Sequence, residues 1–144
     1  MYEVNKKKNN YTVTQNGKAI GLKLVDSYTQ FGIQQYQGQG KRTVTTTVSS
    51  EEARLIREIV SQVDGAVNPV KETKYGDQIK INVPDKIYED MTKSTNDLTV
   101  RFNGIWEIGG KKHSSWKLVS VTRVCSGRPG ESDIDTDEEL LFVN

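Results

Sequence analysis

Residues 98–121 read LTVRFNGIWEIGGKKHSSWKLVSV, two runs rich in β-branched and aromatic side chains parted by a Gly-Gly pair and a basic turn. That vocabulary is a β-hairpin, with strands expected over 98–108 and 116–124. Successive side chains in a strand point to opposite faces. Val100, Phe102, Gly104, Trp106 and Ile108 then share one face, expected to be the core side, and Arg101, Asn103, Ile105 and Glu107 share the other. After the turn, Trp116, Leu118 and Ser120 oppose Lys117, Val119 and Val121. On this reading Trp106 fills the core, as large aromatics do in small domains. Trp116, beside the Lys111 and Lys112 turn, is expected at the surface.

The same strand vocabulary recurs outward from the hairpin. Turn residues at Asn16-Gly17, 38–40 and Gly76-Asp77 bound further candidate strands over 11–14, 19–28, 42–48 and 78–83. One helix interrupts them. Ser49 followed by Glu52 forms a capping box, and Ala53, Ile56, Ile59, Val60 and Val63 repeat at helical spacing, so a helix is predicted over about 50–63, ended near Gly65 and Pro69. Strands, one amphipathic helix, then strands predict a mainly β fold: a five-stranded Greek-key barrel of the oligonucleotide-binding type, with the helix between the third and fourth strands. Other barrels and α+β sandwiches fit the same order. The Gly/Gln-rich residues 29–40, which hold Phe31 and Tyr36, read as an exposed turn or loop. Residues 84–96 read as irregular, with a short helical turn over 87–91.

A chain of 144 residues is one domain's worth. The domain is placed over 1–126 and an acidic tail over 127–144, the tail expected to be disordered when unbound. Charge divides the same way. The whole chain carries +1, but residues 131–144 hold six acids and no Lys or Arg, so the body holds 20 basic against 13 acidic residues, a charge of +7. A basic body favours a polyanionic partner through phosphate contacts and counterion release. With hydrophobic content of 34% and a mean hydropathy of −0.64, the core should be small. Cys125 is the sole cysteine, which excludes an intrachain disulfide and a Cys-rich zinc site. No signal-peptide pattern and no run near the roughly 20 apolar residues of a membrane span appears, so a soluble intracellular protein is expected.

Catalysis finds little support in the residues. His113 stands alone in GGKKHSS, with no second His for a metal and no partner to orient it as a base. Asp133, Asp135 and Asp137 alternate as in a metal loop but lack its Gly and terminal Glu. Neither a GxxxxGK[ST] loop nor a GxSxG elbow is present. No enzyme activity, metal or cofactor is expected. What recurs instead is cation beside aromatic: Lys6, Lys7 and Lys8 before Tyr11, Tyr36 before Lys41 and Arg42, Lys74 beside Tyr75, and Arg101 beside Phe102. Binding of single strands without sequence preference needs a basic groove and flat rings, since a base stacked on a ring contributes about 1–3 kcal/mol.

The stretch over 98–121 resembles the closing hairpin of viral single-stranded-DNA-binding proteins, the oligonucleotide-binding-fold proteins of phages and large DNA viruses. In that group a strand ending in Gly-(Ile/Val)-Trp is followed by a short turn and an aromatic-containing last strand, the positions held here by Gly104, Ile105, Trp106 and Trp116. The ending DEELLFVN is similar to the family's acidic tail with a terminal aromatic. The resemblance implies a protein that coats single strands exposed in replication or recombination, in a host cytoplasm or nucleoid. It also implies that the tail, through Asp135, Asp137, Glu138, Glu139 and Phe142, contacts replication proteins or occupies the groove until DNA displaces it.

The expected contacts follow from the residues. Phosphates are assigned to Lys41, Arg42, Lys74, Lys80, Arg101, Lys111, Lys112 and Lys117, and stacked bases to Tyr36, Tyr75 and Trp116. Two other functions fit the sequence: a protein-interaction or virion structural module with both tryptophans buried, and RNA binding by the same chemistry. Homo-oligomer formation stays open.

Overall fold

The computed structural model describes residues 2–35, 42–87, 91–123 and 140–144. Strands come first: β1 (Tyr2–Lys7), β2 (Asn10–Gln15), β3 (Lys18–Thr29), β4 (Ile33–Gln35) and β5 (Arg42–Val48). Then follow the helix α1 (Ser50–Val60), β6 (Lys71–Thr73), β7 (Gly76–Val83), β8 (Ser94–Ile108), β9 (Lys111–Arg123) and β10 (Leu140–Phe142). They form one mixed sheet in the order β1-β2-β3-β8-β9-β7-β5-β4, with β6 on β7 and β10 on β3. The mainly β expectation holds, and each candidate strand is present. The six candidate strands become ten among the described residues, because β1, β4, β6 and β10 are short or polar segments with weak strand signatures.

Helix α1 begins where its cap dictates. The Ser49 hydroxyl accepts from Glu52 N at 3.1 Å, and Glu52 Oε1 accepts from Ser49 N at 2.7 Å, so two donors left over at the helix start are satisfied. The second carboxylate oxygen, Oε2, accepts from Val25 N at 2.8 Å, where the β3 ladder to β8 breaks register between Leu24 and Ser27. Glu52 is therefore a buried tie between the helix and the bend in β3, a role its place in a capping box does not disclose. On the exposed side Arg54 bonds Glu51 and Glu58, and its guanidinium holds the Glu51 carboxyl below the usual carboxylate range. The helix follows β2, β3 and β5, the first three candidate strands, as expected; counted over the five long strands β3, β5, β7, β8 and β9 alone, it follows the second. It also ends at Val60, three residues short of the expected limit, with Val63 buried in the turn beyond.

The core is one cluster built from Ile20, Leu22 and Leu24 of β3, Ile56 and Ile59 of α1, Ile79 and Ile81 of β7, and the inner residues of β8 and β9. In the hairpin, pairing slips between Phe102 and Gly104 and again between Thr99 and Val100. At the first slip Gly104 has φ +109°, and a Cβ there would stand 2.9 Å from the Tyr11 carbonyl oxygen of β2. Only glycine fits both conditions. Such a bulge shifts the alternation by one residue, which moves every later side chain to the other face. Ile105 is accordingly buried, while Trp106 and Ile108 are 46% and 72% exposed.

This corrects the sequence reading of both tryptophans. Trp116 is 2% exposed, packed on Phe102 across the strands with ring centroids 4.9 Å apart, and its indole N–H donates to Ser114 Oγ at 3.1 Å. Trp106 faces outward.

The tail expectation divides. Residues 124–139, with Asp135, Asp137, Glu138 and Glu139, lie outside the described residues. The last five residues lie along β3. Leu140, Leu141 and Phe142 pair in parallel with Ala19, Ile20 and Gly21. The Asn144 carboxamide then accepts from Lys23 N at 2.9 Å and donates to Lys23 O at 2.6 Å, as a further backbone rung would. The Phe142 ring lies over Gly21, where a Cβ would come within 2.8 Å of it, and Lys23 Nζ stands 4.9 Å from the ring centre.

Candidate nucleic-acid interface

Residues opposite one another in a sheet share a face, so the registers define the outer surface rung by rung. Gly21 pairs with Arg101, Arg101 with Lys117, Lys117 with Asn82, and Asn82 with Thr43. This rung crosses five strands. On β7 the residues two and four before Asn82 continue the same face, and they are Lys80 and Gln78, paired with Thr45 and Thr47 of β5. Lys80, Asn82 and Lys117 are exposed, Arg101 is half-buried, and Asn82 Nδ2 donates to Ser115 Oγ at 3.0 Å. Arg101 and Lys117 are thus cations placed directly opposite. Like charges so placed disfavour a strand pair, and an anion shared between them reverses the sign.

At the Gln78 end of this face the surface sinks into a groove of about 760 Å³. Its walls carry the rings of Tyr28, Phe31 and Tyr75, with Thr47, Thr73 and Gln78 between them. Phe31 and Tyr75 are 71% and 75% exposed. The Tyr75 ring is carried on the turn between β6 and β7, with Lys74 Nζ 5.1 Å from its centre. Tyr28 is fixed through its hydroxyl, which donates to Gln30 Oε1 at 2.8 Å, and through its backbone N–H, which donates to Thr47 Oγ1 at 2.9 Å. Aromatic faces that stay uncovered in water are available for stacking.

The expected contact residues separate into groups. Lys80, Arg101 and Lys117 come together on one face, and Lys74 and Tyr75 stand beside its groove. Lys111 is exposed at the hairpin turn, opposite Ile108. Arg42 and Lys112 are committed to the fold instead. The Arg42 guanidinium donates to Pro84 O at 2.9 Å and Ile87 O at 2.6 Å, which ties down the chain leaving β7. Lys112 Nζ donates to Asp64 O at 2.7 Å and sits 5.2 Å from the centre of the Tyr11 ring. Trp116 is withdrawn from stacking by burial. Tyr36 and Lys41 lie outside the described residues.

Local pattern does not single out Tyr28 or Phe31 as site residues, and it assigns Trp106 to the core. A glycine inside a strand pattern is the signal for a bulge, and Gly104 carries it. Trp106 pairs across the strands with His113 and Asn10, and Asn10 with Lys7, so a second exposed ring lies among polar and basic neighbours. Among the described residues no three His, Cys, Asp or Glu side chains are grouped as metal ligands, and no helix is long and apolar enough to cross a membrane.

No protein-family model, curated protein or solved structure matches this chain.

Proposed function

We propose that this protein binds single-stranded DNA with little overall sequence preference and coats strands exposed during replication or recombination, as the viral proteins it resembles do. The observation that carries the reading is the single outer face on which Lys80, Lys117 and Arg101 adjoin a groove walled by Tyr28, Phe31 and Tyr75. Cations meet phosphates and rings meet unpaired bases, and neither element selects a sequence. A duplex keeps its bases stacked inside and offers nothing to the rings.

The fold supports the same reading. Tyr28 and Thr47 join β3 to β5, since Tyr28 O also accepts from Thr46 Oγ1 at 3.3 Å. With that link the strands run β8-β3-β5-β7, the fourth returning beside the first, which is Greek-key order. Strand β9 pairs with β8 and lies parallel to β7 at Asn82 and Lys117, and we infer that the run closes into a ring. We read the ring as the barrel of an oligonucleotide-binding fold. Its second and third strands, β5 and β7, and the loop after its first are the surfaces such barrels use for oligonucleotides.

The tail enters as a competitor. Phe142 rests on Gly21, in the same rung as Arg101 and Lys117, and the acids precede it directly in the chain. We infer that the tail competes with phosphates for this face and that, once displaced, it is available to replication proteins. No catalytic role, metal or cofactor enters this reading.

Titration of labelled single-stranded and duplex oligonucleotides at several salt concentrations tests it. Tighter binding of the single strand, falling steeply with salt, is expected. Equal affinity for both, or indifference to salt, refutes the reading. One observation favours a protein partner as the alternative: Trp106 and Ile108 are exposed side by side on one face of the hairpin.

A further inference from the structure

The groove beside Lys80 differs in kind from the cationic face. Gln30 is engaged with the Tyr28 hydroxyl, Thr47 accepts from Tyr28 N, and Thr73 Oγ1 donates to Gly76 O at 2.7 Å while accepting from Tyr75 N at 3.2 Å. Gln78 is the amide of the groove with neither end engaged. It is half-buried and lines the groove with the rings, and its carboxamide makes no hydrogen bond among the described residues. A donor and an acceptor, fixed side by side on a central strand and flanked by exposed rings, form a reading head for the edge of a planar ligand.

We infer that this groove takes an unstacked adenine base and that Gln78 reads its edge, so the bound strand carries a preference for adenine at one position. The inference rests on the single-strand reading above. A carboxamide pairs best with an edge that offers one donor and one acceptor. Adenine presents that pair on its N6/N7 edge, whereas the corresponding guanine edge, O6/N7, presents two acceptors. Single-stranded adenine also exposes N6/N1, its Watson–Crick edge, so either face-down orientation on the rings leaves a matching edge toward Gln78. Guanine matches on its Watson–Crick edge, O6/N1–H, alone, and pyrimidines likewise offer one such edge only and less ring to cover. The volume of the groove lies within the range of about 300–1,000 Å³ typical of small-ligand sites, so a base enters without opening the fold.

The test is titration of the full chain with a short oligothymidylate and with the same strand carrying adenine at each position in turn. At one position adenine should tighten binding roughly five- to tenfold, the lower end of what one good bidentate contact contributes. Gln78→Leu should abolish that gain, so that the adenine-bearing strand and plain oligothymidylate bind the variant equally, with the thermal midpoint unchanged. Equal affinity for adenine at all positions, or a gain that survives Gln78→Leu, overturns the inference and leaves general strand binding intact. Failure of every strand to bind at low salt overturns the single-strand reading itself. Free AMP offers the same edge without a strand. AMP that competes as well as the adenine-bearing strand would assign the groove to a free nucleotide and overturn the strand preference.

Discussion

Gly104 of β8 lies against the Tyr11 carbonyl of β2, close enough that a methyl group on Gly104 would stand 2.9 Å from the oxygen. This approach fixes where the hairpin changes phase, and hence which tryptophan meets solvent. Gly104→Ala should cost roughly 1–3 kcal/mol, the sum of a positive φ at a residue with a Cβ and a clash with backbone that cannot swing aside. Urea unfolding measures it. A loss below a few tenths of a kcal/mol would mean that the bulge is not where the structure puts it.

The two tryptophans should behave as opposites. In Trp116→Phe the remaining Trp106 should emit at long wavelength and be quenched readily by acrylamide; in Trp106→Phe the remaining Trp116 should emit at short wavelength and resist quenching. Trp116→Ala should destabilise by roughly 3–5 kcal/mol, and Trp106→Ala by under about 1 kcal/mol. Reversed spectra would restore the uninterrupted alternation of 98–108.

Charge reversal should separate binding cations from structural ones. Lys117→Glu should weaken single-strand binding and lower the salt slope by about 0.7 for each phosphate no longer neutralised, with little change in unfolding free energy. Arg42→Ala should do the converse, since its guanidinium holds the Pro84 and Ile87 carbonyls. It should unfold at lower urea while retaining most of the affinity. Equal binding losses in both variants would indicate a diffuse field instead of a defined face.

Removal of residues 131–144 takes away six acids and no base, raising net charge from +1 to +7. Single-strand binding should tighten at low salt and converge with that of the full chain as salt screens the difference. Phe142→Ala should produce part of the effect, because it loosens the tail from Gly21 without changing charge. Unchanged or weaker binding after truncation would dismiss competition by the tail.

Much of the architecture was legible locally. The Ser49 and Glu52 pair marked the helix start because capping is settled within one turn, and alternating β-branched and aromatic residues marked β3, β5, β7, β8 and β9 because the strand period is a property of the backbone. Lys80, Arg101 and Lys117 were legible as cations. That they share a face was not, because adjacency across β7, β8 and β9 comes from pairing of segments distant in sequence. The docking of Phe142 on Gly21 was hidden for the same reason, and Arg42 and Lys112 looked like free surface charge until the carbonyls that engage them came into view.

The sequence by itself therefore determined the kinds of element, their order, the basic body and the acidic ending, all of which follow from short-range periodicity and composition. Tertiary structure alone decided the phase of the hairpin, the exchange of buried and exposed tryptophan, and the meeting of cations with the groove. A strand's alternation is local, but the residue at which it is interrupted depends on which other backbone passes close by, and here that is the carbonyl of Tyr11 against a glycine 93 positions further along the chain.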